Sequence, residues 1–116
     1  YIRSKAKGHG MQNLIEGALD PQGKYVVIED LISTGMSSTR AVKALQDSGA
    51  TVLGTLAIFS YGFPQAQAAF EETGTPFDTL THMAALMQVA EEIDYLRPGE
   101  KETIQRWQAQ PDQWQG

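Results

Sequence analysis

Two adjacent carboxylates, Glu29 and Asp30, close the apolar run Tyr25-Val26-Val27-Ile28, and the chain soon turns through Ser33-Thr34-Gly35-Met36-Ser37. Acids at such a rim can accept hydrogen bonds from a polyol or hold a magnesium ion through water. The turn precedes a helix, so its backbone N–H groups, its hydroxyls and the helix dipole converge on one point suited to an anion. A glycine there lets a phosphate approach the backbone, because no Cβ intervenes. Taken singly, the acids could be solvated strand-end residues and the turn an ordinary capped helix start. Neither plain reading explains why so many hydroxyl donors cluster beside an acid pair. Together they describe a sugar-phosphate site.

A second group lies at the start of the chain. In RSKAKGHG, residues 3–10, Arg3, Lys5, Lys7 and His9 fall at every second position. An extended chain puts alternate residues on one side. Only Ser4, Ala6, Gly8 and Gly10 stand opposite, too little to anchor a strand to a core. The stretch reads as a mobile loop with one cationic face, suited to a diphosphate whose charge grows as it leaves. The competing reading is a disordered terminal tail.

Those groups need a frame, and the pattern is strand and helix in alternation. Residues 24–30 form a short apolar run rich in β-branched residues, expected to be buried on both faces as in a parallel sheet. Ser37, Ser38 and Thr39 offer N-cap oxygens to a helix whose stripe is Ala41, Val42 and Leu45, with Gly49 as its C′ residue. A second strand spans 51–62, and a helix opening at Pro64 carries Ala69 and Phe70 to a stop at Gly74. A shorter, edgeward strand covers 77–82. Met83, Leu86, Met87, Ala90 and Ile93 make the next apolar stripe, broken by Pro98-Gly99. A last helix over 100–109 packs Ile104 and Trp107, and a polar tail occupies 110–116. This order predicts an α/β fold with an open, mostly parallel sheet and flanking helices. Such sheets bind ligands at the carboxyl ends of their strands, where Glu29 and Asp30 lie. Side chains alternate along a strand, so the two acids cannot share a face and the chain is expected to leave the sheet there.

The 116 residues suffice for one domain with a real core. The chain opens on Tyr1 with no charged-then-apolar leader and reads as a fragment. No apolar run approaches membrane-spanning length, so no membrane partner is expected. The absence of cysteine excludes disulfides, thiolate zinc sites and cysteine nucleophiles, and suits a cytoplasmic setting. The net charge is −5, yet the first ten residues carry +3, leaving −8 on the rest. An acidic body argues against a nucleic-acid surface, whereas a short basic arm fits a small, highly charged anion.

The stretch VVIEDLISTGMSS resembles the signature of type I phosphoribosyltransferases, in which an apolar strand ends in two acids followed by a Ser/Thr-Gly turn. The resemblance implies that Glu29 and Asp30 contact the ribose hydroxyls of phosphoribosyl pyrophosphate (PRPP). Ser33, Thr34, Gly35, Met36 and Ser37 would cradle its 5-phosphate. RSKAKGHG is similar to the catalytic loop of the orotate branch of that family. Arg3, Lys7 and His9 map onto the loop's basic positions, with Lys7 as the catalytic lysine. Many members carry a second lysine directly after the arginine; Ser4 stands there, and Lys5 substitutes. NLIEG, residues 13–17, fits as well. The likeness implies transfer of phosphoribosyl from PRPP to orotate, giving orotidine 5′-monophosphate and pyrophosphate. It also implies Mg²⁺ held through PRPP and water without a direct protein ligand. It implies a homodimer whose basic loop, residues 3–13, reaches the neighbouring site, and an N-terminal segment missing from this chain. Lys7, His9 and Asp30 would be catalytic, Arg3 and Lys5 would bind PRPP, and Ser33 is the candidate contact to orotate. Some members have an arginine against the base near the end of the second strand; Tyr61 is nearest here and takes no such role.

Two rivals from other classes are a non-catalytic PRPP-binding regulatory domain and a receiver-type signalling domain. The first would not need Lys7 and His9. The second needs a phosphoacceptor aspartate ending a later strand, and TVLGTLAIFSYG supplies none. Transfer to another base is the alternative within the enzyme class. His82 reads as a capping or surface residue, Met83 and Met87 as core, and Trp107 and Trp114 as packing and tail residues.

Overall fold

The computed structural model of the chain describes residues 1–3 and 14–115. Three parallel strands, β1 (Lys24–Ile32), β2 (Thr51–Ser60) and β3 (Phe77–His82), form one sheet in the order β1-β2-β3. Helices α1 (Met36–Asp47) and α2 (Pro64–Thr73) make the two crossovers, followed by α3 (Met83–Glu92), α4 (Glu100–Ala109) and a 3₁₀ turn at Pro111–Gln113. The alternating open sheet expected from the sequence is the one observed. β3 takes the edge position.

The core lies between one face of the sheet and the first two helices. Val27, Ile32, Val52 and Ala57 from the strands meet Ala41, Val42 and Leu45 of α1 and Ala66 and Phe70 of α2. Phe70 also stacks on Phe77, ring centroids 4.4 Å apart. The helices end where the sequence puts stops. Gly49 follows the Ser48 C-cap of α1, and Gly74 caps α2, both at positive φ. Pro64 opens α2 and needs no N–H partner at that position.

The strands are not buried on both faces, contrary to expectation. Val26, Ile28, Leu53, Leu56, Ile58 and Leu80 are exposed, Ile28 and Leu80 by more than 70%. The helices of the described residues cover a single face, so the apolar side chains of the other meet solvent. The α3 stripe divides likewise: Met83 and Ala90 are buried, Met87 is half-buried, and Leu86 and Ile93 are exposed. In α4, Ile104 and Trp107 are half-buried and no residue is fully buried.

Strand β1 also runs two residues beyond the acid pair. Glu29 pairs with Ala57, Leu31 with Phe59 and Ile32 with Ser60, so the chain stays in the sheet past the carboxylates. The alternation of faces does break there. Val27 and Ile32, five residues apart, both enter the same core.

Candidate functional site

The acid pair divides its work. Glu29 is half-buried, and its Oε1 accepts a 3.1 Å hydrogen bond from Ser38 Oγ in the first turn of α1. Asp30 is exposed, and its Oδ1 accepts the N–H of Leu31 at 2.7 Å. Each carboxylate has one oxygen bonded and the other without a bond among the described residues. Ser38 is only 2% exposed and is the partner that fixes Glu29. Ser38, one of the expected N-cap oxygens, does not cap the helix. The signal for its real role is its place as the third residue of α1, next to the strand end.

The turn from Ser33 to Gly35 leads directly into α1, and its cap differs from the expected one. Gly35 is the N-cap residue, at φ +81°, and no side chain caps the helix. The expected cap oxygens are inside the helix instead: Thr39 Oγ1 donates back to the Gly35 carbonyl at 2.8 Å. Among the described residues no side chain accepts a first-turn N–H of α1, which opens beside two acids. Ser33, Met36 and Ser37 are exposed and Thr34 is half-buried. With Met36 64% exposed and turned away from the core, its contribution to the turn is its backbone. Gly35 is buried, and a Cβ built on it would stand 3.2 Å from Ala66 Cα. The glycine thus serves helix packing as well as the open turn.

Of the basic group, Arg3 is described and Lys5, Lys7 and His9 lie outside the described residues. Arg3 forms an ion pair with Glu16, and its N–H donates to the Leu14 carbonyl at 2.7 Å. Ile2 and Ile15 form an antiparallel bridge, and Glu16 N–H donates to the Tyr1 carbonyl at 2.7 Å. Ile2 and Ile15 pack on the core, and Leu14 is buried. The two ends of the basic stretch are thus clasped by a short stem seated on the domain.

The rim continues onto β2. Tyr61 N–H donates to the Ile32 carbonyl at 3.2 Å, and Gly62 N–H donates to Ser60 Oγ at 3.0 Å. Tyr61, Phe63 and Trp107 form an aromatic cluster beside the turn. His82 caps α3 by accepting the Ala85 N–H at 3.3 Å, as expected of a capping residue. Among the described residues no group of three or more His, Cys, Asp or Glu is arranged to hold a metal ion. No helix of the described residues is long and apolar enough to cross a membrane.

Solved phosphoribosyltransferase structures share this open parallel sheet with its flanking helices. The orotate phosphoribosyltransferase of Mycobacterium tuberculosis, solved with Fe(III) dicitrate, matches with a TM-score of 0.58 and 37% identity, covering 72% of this chain and 47% of that one. The UMP synthase of Leishmania donovani matches with a TM-score of 0.68 over 82% of this chain and 21% of its own; at 21% identity it bears on the fold alone. No protein-family model matches the chain.

In sequence, the chain is similar to curated orotate phosphoribosyltransferases. The enzyme so named from Listeria monocytogenes is 47% identical over 114 residues, 98% of this chain and 54% of the relative. Those of Bacillus pumilus and Bacteroides fragilis are 49% and 44% identical over 96% and 99% of this chain. The chain spans about half the length of the curated relatives it matches.

Proposed function

We propose that this chain carries the PRPP-binding part of an orotate phosphoribosyltransferase, which transfers phosphoribosyl from PRPP to orotate and releases pyrophosphate. One observation carries the reading: an α1 N-terminus left open by Gly35, with no side-chain cap, stands beside Glu29 and Asp30 at the carboxyl rim of the sheet. Backbone N–H and hydroxyl groups of Ser33, Thr34, Gly35, Met36 and Ser37 receive the 5-phosphate. The second oxygens of Glu29 and Asp30 accept the ribose hydroxyls. Ser33, at the start of the turn, is the candidate contact to orotate.

In the reaction the bond from ribose C1 to the pyrophosphate oxygen breaks, and its electron pair leaves with pyrophosphate. A nitrogen of the base then bonds to C1 and gives up its N–H proton, which balances the proton taken up by pyrophosphate. Positive charge gathers on the ribose as the bond lengthens, where the carboxylate of Asp30 stabilises it. Arg3, Lys5, Lys7 and His9 neutralise the departing diphosphate, Lys7 and His9 with a proton to give, and a closed loop keeps water from the cation. Removal of one such contact costs roughly 3–4 kcal/mol of barrier. The hard oxygen donors of two acids, with no third ligand grouped beside them among the described residues, fit a Mg²⁺ held chiefly by PRPP and water. When bound, the ion supplies charge neutralisation at the pyrophosphate. The loop completes the site of a second copy in a homodimer, and the setting is the cytoplasm.

The test is calorimetric titration of the folded chain with PRPP, with and without Mg²⁺, beside Asp30→Asn. Magnesium-dependent binding, weakened at least about tenfold in the variant, is expected for loss of a charge-assisted contact. Equal binding by the variant, or none by the folded wild-type chain, rejects the site. Binding without product from orotate would instead favour a regulatory PRPP-binding domain.

A further inference from the structure

Helix α4 contributes no fully buried residue, yet two consecutive side chains on it, Trp107 and Gln108, converge on one residue of the site's rim. The Trp107 ring meets Tyr61 edge-on at 5.1 Å and Phe63 at 5.4 Å. Tyr61 in turn stacks on Phe63 at 5.4 Å and touches Phe59 edge-on at 5.5 Å. Gln108 Nε2 donates to the Tyr61 carbonyl at 2.8 Å, a contact across 47 residues of sequence. The Tyr61 N–H is also spoken for, by the Ile32 carbonyl. Ile32 is the residue from which the Ser33–Ser37 turn departs. Both polar groups of the Tyr61 backbone are thus bonded, one to α4 and one to the root of that turn.

A tie of this kind contributes little to the core. Gly62, at φ +75°, lets the chain reverse right after Tyr61, a turn the Ser60 hydroxyl supports. Without α4 the reversal would have a bonded inner side and a free outer one, and Tyr61 could move without cost to the buried cluster. We propose that α4 is a brace for the anion turn, with Gln108 and Trp107 as positioning residues that hold Tyr61, and through it Ile32, so that the turn's N–H groups stay aimed at the 5-phosphate. The proposal rests on the reading of residues 33–37 as the phosphate turn.

The test uses Gln108→Glu, which keeps the volume but replaces the donor with an acceptor, and Gln108→Lys, which keeps a donor at similar reach. Lys101→Ala is the control, since it removes a tie of α4 that does not reach Tyr61, the ion pair to Glu91. Two readouts are taken: amide hydrogen exchange at Tyr61 and residues 33–37 without ligand, and the dissociation constant for PRPP with Mg²⁺. Gln108→Glu should speed exchange at Tyr61 and in the turn about fivefold, the ratio expected for one hydrogen bond, and weaken PRPP binding by a similar factor. Gln108→Lys and Lys101→Ala should stay within about twofold of the wild type, and all melting temperatures should move little. Unchanged exchange in Gln108→Glu overturns the brace. Faster exchange with unaltered PRPP affinity overturns its role in the site. A wild-type chain that binds no PRPP rejects the proposed function instead, and the exchange data then decide whether the brace exists.

Discussion

Gly35 meets two demands at once, and alanine there would violate both. Its φ of +81° lies in the left-handed region, which costs an L-residue roughly 1–2 kcal/mol. Its added Cβ would stand 3.2 Å from Ala66 Cα, a backbone atom that cannot swing away, and 3.5 Å from Phe70 Cε2 in the core. Overpacking of that kind costs about 1–3 kcal/mol. The sum for Gly35→Ala is about 2–5 kcal/mol, a large part of the stability of a domain this size. Gly74→Ala isolates the first cost, because φ there is +68° and a Cβ would meet nothing within 4 Å. Urea unfolding of both variants, with slopes checked for equality, should show Gly35→Ala less stable than Gly74→Ala by about 1–3 kcal/mol. At about 4 °C per kcal/mol, thermal unfolding should separate them by roughly 4–12 °C. Equal losses would refute the reasoning, since the close approach of α1 to α2 would then carry no energy. A loss confined to PRPP affinity would do so too, by showing that the glycine serves only the anion.

Thr55 Oγ1 is buried in β2 without a hydrogen-bond partner among the described residues, so Thr55→Val, which removes the stranded hydroxyl at constant shape, should stabilise the chain by about 1 kcal/mol in urea unfolding; a loss of that size would show that the hydroxyl is satisfied. Ser38→Ala removes the donor that fixes Glu29 and should lower stability by about 1–2 kcal/mol while weakening PRPP binding several-fold; unchanged affinity by calorimetry would remove Glu29 from the ribose contacts. Replacing both Ile28 and Leu80 by lysine on the open sheet face should reduce self-association in sedimentation experiments and leave the unfolding free energy within about 1 kcal/mol. Unfolding of that double variant would mean that the face is core. Loss of the exposed Lys43–Glu72 pair, 3.9 Å apart, should change stability by less than about 0.5 kcal/mol.

The elements were readable because their punctuation is local. Pro64, Gly49 and Gly74 mark helix ends by backbone constraints that no distant contact alters, and the observed bounds follow them. The helix stripes of Ala41, Val42, Leu45 and Phe70 were readable for the same reason, since a single covered face gives them one periodicity. The strands misled because an apolar run reports what a sheet can bury and not what is present to cover it. Val26, Ile28, Leu53, Leu56 and Ile58 have the composition of a doubly covered sheet, and the chain spans about half the length of its relatives. Their exposure is then the expected state of a sheet with helices on one side only.

At the site, the period-2 rule showed that Glu29 and Asp30 cannot share a face, but it could not show how the chain resolves this. Leaving the sheet at the acids is the solution the sequence leads us to expect. The structure takes another: pairing continues to Ile32 and Ser60, while the break in alternation brings Ile32 into the core beside Phe70. That choice decides the geometry of the turn, because Ser33 starts from a residue that is both buried and hydrogen-bonded to Tyr61. A turn sprung from a frayed strand end would have to be ordered by its ligand, at a cost of roughly 1–2 kcal/mol for each residue fixed. A turn sprung from Ile32 begins ordered, with Gly35 held against Ala66 at its far end. On the proposed reading Ser33 and Thr34 are then the residues left for an anion to settle, since the helix that follows them is already formed.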